Sequence, residues 1–167
     1  MPLVLELVTT PTADARALIE ELELELSGDY SAEQRHGYSV DKVFQPGIFF
    51  FIARLDGQPV GCGAIALENG WAEVKRMYVR TPHRGGRIGQ QILARLEDEA
   101  RARGVHHLVL ETGDVLHPAI RLYERAGFTR CAAFGPYTAM PPQSIERSIF
   151  MEKRLTSPLP SATRRES

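Results

Sequence analysis

Short apolar runs of strand length recur along the first half of the chain. They cover residues 3–8, 48–55, 58–67 and 71–79. The dipeptides Asp-Gly and Asn-Gly separate the last three runs, and both favour tight hairpin turns because they tolerate positive φ. The pattern therefore predicts one N-terminal strand and an antiparallel meander of three strands.

Two longer segments repeat apolar residues with the period of a helix. The first predicts a helix over about residues 10–26, with Thr10 as its cap, Pro11 in the first helical position and Gly28 as its stop. The second predicts a helix over residues 87–103 that ends at Gly104. Its expected buried stripe is Ile88, Ile92, Leu93, Leu96 and Ala100.

The remaining segments complete an alternating order of strands and helices. We expect strands over residues 105–112, 128–134 and 148–155, with a short helix over 118–126. Residues 29–46 are weakly periodic and predict a second short helix and a loop. The order indicates a single mixed α/β domain over residues 1–155. A Pro-, Ser- and Arg-rich tail over 156–167 is expected to be disordered.

Composition narrows the class of protein. The chain has 167 residues, of which 43% are hydrophobic and 25% charged, as in ordinary globular domains. The formal net charge of -1 gives no reason to expect nucleic acid or an anionic membrane as a partner. Cys62 and Cys131 lack metal-type spacing, and no apolar run reaches the ~18–20 residues of a membrane span. We therefore expect a cytoplasmic protein without a metal or a secretory signal.

The stretch RTPHRGGRIGQQIL, residues 81–94, joins a predicted strand to a predicted helix and is rich in glycine and arginine. Free backbone N–H groups and the helix dipole favour an anion there, and Arg84 and Arg87 can add charge-assisted bonds. The alternative is a solvated basic turn. The stretch lacks the lysine and hydroxyl of a P-loop, and its glycines do not fit the dinucleotide fingerprint.

Two motifs in this chain resemble those of the GNAT superfamily of acyl-CoA-dependent N-acyltransferases. MYVRTPHRGGRIGQQIL, residues 77–93, is similar to the family's pyrophosphate loop, Q/R-x-x-G-x-G/A, except that Arg87 replaces the middle glycine. AIRLYERAGF, residues 119–128, resembles the family's later helix and following strand. Leu116 replaces an asparagine often found seven residues before the tyrosine, which puts a side-chain bond from that position to the cofactor in doubt.

The resemblance implies a fold, a cosubstrate and a reaction. It implies a single GNAT-like α/β domain with a mixed, mostly antiparallel sheet of about six or seven strands flanked by helices. It also implies N-acetyl transfer from acetyl-CoA to a primary amine. The residues implied in cofactor binding are Met77, Tyr78, Val79, Arg84, Gly85, Gly86, Arg87, Ile88, Gly89 and Gln90.

Catalytic roles are expected for a tyrosine and a carboxylate. The resemblance implies that Tyr123 protonates the leaving thiolate, although a buried tyrosine on the apolar face of its helix would look the same. Glu73 and Glu111 are the candidates for the general base. Glu73 alternates with Trp71, Lys75, Met77 and Val79 on one predicted strand face, so it could instead pair with Lys75 or Arg76, or bind substrate.

The acceptor is the least defined part of the prediction. Glu73 and Glu111 favour a small cationic amine, and Tyr137 could contact it from the segment 134–144, while a protein N-terminus or lysine stays possible. Neither cysteine suggests an acyl-enzyme, so we expect direct attack in a ternary complex. His106 and His107 are expected to lie away from the chemistry. A non-catalytic acyl-CoA-binding module and a nucleotide-binding protein are the alternatives, and a homodimer is implied only by analogy.

Overall fold

The computed structural model describes residues 2–156, so the predicted disordered tail lies almost wholly outside the described residues. One sheet of seven strands runs in the order β1-β2-β3-β4-β5-β7-β6. Only β4 and β5 pair in parallel, and every other neighbouring pair is antiparallel. The strands are β1 Leu3–Val8, β2 Ile48–Leu55, β3 Gln58–Glu68, β4 Trp71–Val79, β5 His107–Gly113, β6 Thr129–Arg130 and β7 Ser148–Arg154.

Five α-helices and three single-turn segments connect these strands in the described part of the chain. The helices are α1 Ala13–Ser27, α2 Val40–Val43, α3 Ile88–Ala102, α4 His117–Arg125 and α5 Pro142–Ile145. Short 3-10 turns cover Ala32–Gln34, Thr81–His83 and Gly135–Ala139. The predicted mixed, mostly antiparallel sheet flanked by helices is confirmed, as is the meander between residues 48 and 79.

The two faces of the sheet bury separate cores. On one face, α3 packs Ile92 and Leu96 against strand residues such as Leu108 and Leu110, and Tyr123 of α4 joins this core. On the other face, Leu18 of α1 and the α2 residue Val43 pack with residues that include Phe50, Ile52 and Cys62. Side chains of the central strands are therefore sorted between an α3–α4 face and an α1–α2 face.

The first helix begins later than the sequence predicted. Thr12, not Thr10, is its cap, because the Thr12 side chain accepts a bond from the Ala15 amide at 3.2 Å and Pro11 stays outside the helix. Gly28 ends the helix as expected, although with an ordinary φ of -71°. The α3 prediction holds to within one residue at each end.

The strand predicted over residues 128–134 is mostly wrong. Only Thr129–Arg130 pairs with β7. The reason is an aromatic cluster beside this segment, in which Phe134 stacks edge-on against Trp71, Tyr137 and Phe150 with ring centroids 5.1–5.7 Å apart. Burying Phe134 in that cluster takes the chain out of the sheet.

A bulge and a gap interrupt the sheet at β4. Cys62 pairs with Tyr78 and Ala64 with Lys75, so Arg76 and Met77 together face Gly63. A slip of this kind reverses the alternation of side chains along the strand. Beyond Val74, β4 has no further pairing with β5, whose own residues continue to Gly113. The two parallel strands thus part and leave a gap through the sheet.

Candidate active site

The bulge in β4 decides which side chains reach the site. Before it, Glu73 and Lys75 point to the α1–α2 face; after it, Met77 and Val79 pack with the core of the α3–α4 face, and Tyr78 joins the opposite core. The prediction that Glu73, Lys75, Met77 and Val79 share one face is therefore wrong. The slip of one residue at Arg76 is the physical reason.

A cavity of about 120 Å³ occupies the gap between β4 and β5. Residues from both faces of the sheet line it: α4 contributes Ala119 and Tyr123, whereas α1 and the loop after it contribute Leu22 and His36. The edge of β4 that faces this gap has no strand partner after Val74. The cavity therefore connects the two faces, so that a molecule on one side can meet a molecule on the other.

Tyr123 reaches the cavity with a free hydroxyl. The residue is 6% exposed, and within residues 2–156 its hydroxyl has no hydrogen-bond partner. Burial raises the pKa of the Tyr123 phenol, with a further contribution from the charge of Glu111. The phenol is thus protonated at neutral pH and can act as a proton donor.

Glu111 lies on β5 and lines the cavity from the side of the gap opposite β4. Its one side-chain partner in the described chain is Ser148, whose hydroxyl donates to Glu111 Oε2 at 2.6 Å. Burial raises the pKa of Glu111, and the hydrogen bond from Ser148 and the positive charge of Lys75 oppose that rise. A partly buried carboxylate with a raised pKa and a free oxygen is suited to accept a proton.

Glu73 sits in a closed network on the α1–α2 side. Tyr137 donates to Glu73 Oε2 at 2.6 Å, and Lys75 Nζ lies 3.2 Å from the same oxygen. Lys75 also donates to the carbonyl of His36 at 2.7 Å and to Tyr137 Oη at 3.0 Å. Burial lowers the pKa of Lys75, while Glu73 raises it. The structure therefore shows the alternative in which Glu73 pairs with Lys75, and Tyr137 lies in the same network.

The glycine- and arginine-rich stretch, the predicted anion site, forms an exposed turn at the start of α3. The backbone N–H groups of residues 85–90 have no partner within the described chain, and the first helical bond of this turn comes from Gln91 to the Arg87 carbonyl at 3.1 Å. Gly85 and Gly86 are exposed, so the backbone is open to a ligand. These donors fit a pyrophosphate group, such as that of coenzyme A.

Arg87 takes a left-handed conformation at the position where the resembled motif has glycine. Its φ is 69° and its ψ 11°, whereas Gly86 has no positive φ. The arginine itself, not Gly86, therefore makes the turn that glycine makes in the resembled motif. Arg84 folds back on the protein instead: it donates to the Val79 carbonyl at 2.7 Å and to Glu25 at 2.8 Å.

The loop after α1 supplies cavity residues that sequence reasoning did not single out. Arg35, His36 and Gly37 line the cavity, and His36 Nε2 donates to the carbonyl of Ser144 at 2.7 Å. Arg76, from the bulge, lines it as well. Weak periodicity over residues 29–46 gave no signal for this role. Residues 75 and 76 are both basic, although neighbouring residues of a strand should point to opposite faces of the sheet. This pair was the sign of a bulge in the sequence.

Other residues lie where their sequence context suggested. His107 Nε2 is 2.8 Å from Glu152 Oε1 at the far end of β5, and His106 does not line the cavity. Leu116 does line it. Among residues 2–156, no group of three or more histidine, cysteine or acidic side chains could hold a metal ion. None of the helices described is long and apolar enough to cross a membrane.

Comparison with known proteins identifies the family and the fold. Residues 15–128 match the model of the acetyltransferase (GNAT) family. The IAA acetyltransferase of Azospirillum brasilense is 46% identical over 149 residues, covering 87% of this chain and 94% of that protein. The aminoalkylphosphonate N-acetyltransferase of Salmonella typhimurium is 32% identical over 126 residues, covering 72% and 80%.

A solved structure agrees with these sequence relatives. A Klebsiella pneumoniae protein, described as a candidate acyl-CoA N-acyltransferase, superposes with a TM-score of 0.76 at 35% identity, covering 92% of this chain and 98% of that one. The matched family region includes the anion site, the bulged strand and the helix that carries Tyr123. The chain therefore belongs to the acetyltransferase (GNAT) family and is an acyl-CoA-dependent N-acetyltransferase.

Proposed function

We propose that the enzyme moves an acetyl group from acetyl-CoA to the primary amine of a small acceptor by direct attack, with both substrates bound together. One observation carries this proposal. The cavity in the gap between β4 and β5 has the free hydroxyl of Tyr123 and the carboxylate of Glu111 on its wall, and it is lined from both faces of the sheet. A donor and an acceptor can therefore meet there from opposite sides.

The donor site lies at the start of α3. The unpaired N–H groups of residues 85–90 would bind the pyrophosphate of coenzyme A, with Gly85, Gly86, Ile88, Gly89 and Gln90 contributing backbone groups. The side chains of Arg84 and Arg87 add positive charge beside it. For Arg84 to reach the phosphates, its exposed ion pair with Glu25 must open, which costs little in water.

The acyl arm of the donor would lie along the open edge of β4. Beyond Val74 this edge has unpaired backbone groups, and Met77 borders the cavity there. A backbone N–H in the stretch Met77, Tyr78 and Val79 would donate to the thioester carbonyl and stabilise the oxyanion that forms during attack. This role needs the backbone of these residues and not their side chains.

Glu111 is the stronger candidate for the general base. Lys75 and Tyr137 both bind Glu73 Oε2, and Glu73 does not line the cavity. Glu111 has one bond, from Ser148, and borders the cavity. Glu111 would take the proton of the attacking amine, and the phenol of Tyr123 would protonate the departing thiolate. Glu73 and Tyr137 would then position Lys75 and the loop that carries His36.

The cysteines support a direct transfer. Cys62 is fully buried and donates to the Arg76 carbonyl at 3.2 Å, and burial raises the pKa of its thiol to about 12. Cys131 does not line the cavity. Neither residue offers a thiolate to the donor, so an acetyl-enzyme intermediate has no cysteine nucleophile here.

A thiol-release assay tests the proposal. Purified enzyme, acetyl-CoA and a broad panel of small amines should release free coenzyme A, and Glu111→Gln and Tyr123→Phe should each lower kcat about 10²- to 10⁴-fold. A thermal-shift screen provides the second readout: coenzyme A should stabilise the protein more than ATP or NAD. Stabilisation by coenzyme A without turnover of any amine would favour a non-catalytic binding module, and preference for ATP or NAD would refute the donor site.

A further inference from the structure

The cavity wall on the α1 side carries two arginines that the acetyl-transfer step does not use. We propose that the acceptor molecule also carries a carboxylate or a similar anionic oxygen group, which binds Arg76 and Arg35. This inference rests on the proposed function. The acceptor is then a small zwitterion with its amine toward Glu111 and its anion toward these guanidinium groups. This differs from the purely cationic acceptor that the carboxylates alone suggested.

Arg76 is buried with donors left over. Its side chain is 2% exposed, and its one side-chain bond in the described chain runs from Nη1 to Glu23 Oε1 at 2.7 Å. Its Nε has no hydrogen-bond partner, although the atom is fully buried. A guanidinium has five N–H donors, and a buried donor without a partner is unfavourable. An anionic oxygen in the cavity that Arg76 lines would give its guanidinium group a second acceptor.

The surroundings hold Arg76 in this position. The residue has a φ of 56°, a left-handed conformation that few non-glycine residues adopt. Gly37 packs against the guanidinium so closely that a Cβ there would lie 1.0 Å from Nη2. Backbone strain at the bulge and a residue without a side chain in the facing loop thus combine to direct Arg76 at the cavity.

Arg35 and Arg76 already converge on one carboxylate. Arg35 Nε donates to Glu23 Oε2 at 3.2 Å, while Arg76 Nη1 donates to the other oxygen of the same group. Arg35 also donates from Nη1 to the Tyr30 carbonyl at 2.8 Å, which fixes its direction. The spacing of the two guanidinium groups is therefore that of a carboxylate, and Glu23 is 39% exposed at the rim.

With Glu111 left to receive the acceptor's amine, the other charges around the cavity leave one cation in excess. Lys75 is paired with Glu73, whereas the single carboxylate of Glu23 is shared by Arg35 and Arg76. Arg76 is the deeper of the two arginines and keeps the unpartnered Nε. An anionic group on the acceptor would balance that charge inside the cavity, where water screens it poorly.

Matched pairs of amines test this inference. The probes are glycine, β-alanine and a set of larger L-amino acids, each compared with its own amide, which keeps the amine and removes the negative charge. In thiol release, the preferred acid should exceed its amide at least tenfold in kcat/KM. Arg35→Gln should lower kcat/KM for the acid about 10- to 100-fold and leave that for the amide nearly unchanged.

Two further variants keep the result interpretable. Arg16→Gln, at an exposed arginine of α1 that does not line the cavity, is the matched control and should change neither value. Arg76→Gln should abolish the preference for the acid, but it alters a buried site, so Arg35→Gln carries the test if Arg76→Gln fails to fold. Equal use of acids and amides by the wild-type enzyme would overturn the inference while leaving acetyl transfer intact.

A binding readout separates this inference from the reaction itself. In the presence of coenzyme A, the preferred acid should raise the melting temperature of the wild-type enzyme, its amide should not, and Arg35→Gln should lose the effect. That result without any thiol release would support the anion site and count against the proposed reaction. Absence of stabilisation by every acid, together with no preference in turnover, would refute the anion site.

Discussion

Tyr123 and Tyr137 are both buried, and replacing each with phenylalanine should affect a different property of the enzyme. Tyr137 donates to Glu73 at 2.6 Å and accepts from Lys75 at 3.0 Å, whereas the Tyr123 hydroxyl is unpartnered within residues 2–156. Replacing either residue with phenylalanine removes one oxygen and leaves the ring packing in place. Tyr137→Phe should lower the stability of the fold, whereas Tyr123→Phe should lower turnover.

The structure sets the size of each effect. At Tyr137 the change leaves Glu73 and Lys75 each short of one partner in a buried site, which should cost about 2–3 kcal/mol of unfolding free energy. For a chain of this length that is a fall in Tm of roughly 4–12 °C. At Tyr123 no bond is lost, so stability should stay within about 0.5 kcal/mol of the wild type. Its kcat should fall about 10²- to 10⁴-fold if its phenol protonates the thiolate.

Urea denaturation and thiol release measure the two quantities independently. Stability comes from the denaturation midpoint at pH 7, and kcat comes from saturating acetyl-CoA with the best amine of the panel. The reasoning fails if Tyr123→Phe loses more than about 1 kcal/mol while keeping kcat within threefold, because its hydroxyl would then be structural. It also fails if Tyr137→Phe is as stable as the wild type, because the network with Glu73 would then contribute nothing.

Three further predictions concern the raised pKa, the packed glycine and the left-handed arginine. Since burial raises the pKa of Glu111 in the folded state, stability from that carboxyl is present below its usual pKa and lost as pH rises through the raised value; Glu111→Gln should therefore melt higher than the wild type at pH 8 and like it near pH 4. Equal melting curves at pH 8 would contradict this. Gly37→Ala should cost about 1–3 kcal/mol in urea denaturation because its Cβ meets Arg76, whereas Gly28→Ala, whose Cβ would lie 3.4 Å from the nearest atom, should change stability by under about 0.5 kcal/mol. A similar loss in both would refute the packing argument. Arg87→Gly should raise the free energy of unfolding by up to about 1 kcal/mol, and with it the urea midpoint, because relief of the left-handed strain exceeds the added chain entropy. A lower midpoint would show that the arginine is not strained.

Local patterns were sufficient for most of the fold. Turn dipeptides placed the meander between residues 48 and 79, and helical periodicity placed α3 within one residue of its ends. These elements are specified by neighbours a few residues apart, so a sequence shows them directly. The strand expected over residues 128–134 failed because Phe134 is held by aromatic residues from β4 and β7, and such a contact leaves no local pattern.

The site was predictable where it depends on a motif and not where it depends on the bulge. The stretch at residues 84–90 and Tyr123 were found from short patterns, and both border the predicted cofactor and reaction sites. Arg76 was passed over because strict alternation was read through residue 76. The loop with Arg35 and Gly37 contacts Lys75 and Arg76, which lie about forty residues later in the chain. A periodic pattern among neighbouring residues does not show such a contact.

The bulge also explains why two glutamates on neighbouring strands receive different roles. Glu73 lies two residues before Lys75, on the same face of a regular stretch of β4, so the strand itself supplies its cation and closes the network with Tyr137. Glu111 lies on β5 where the partner strand has already turned away, so its neighbours are Ser148 and the cavity. A carboxylate held by a cation contributes order, whereas one that faces a gap can still accept a proton. The divergence of β4 from β5 thus both opens the cavity and leaves the Glu111 carboxylate beside it, where the proposed reaction needs a base.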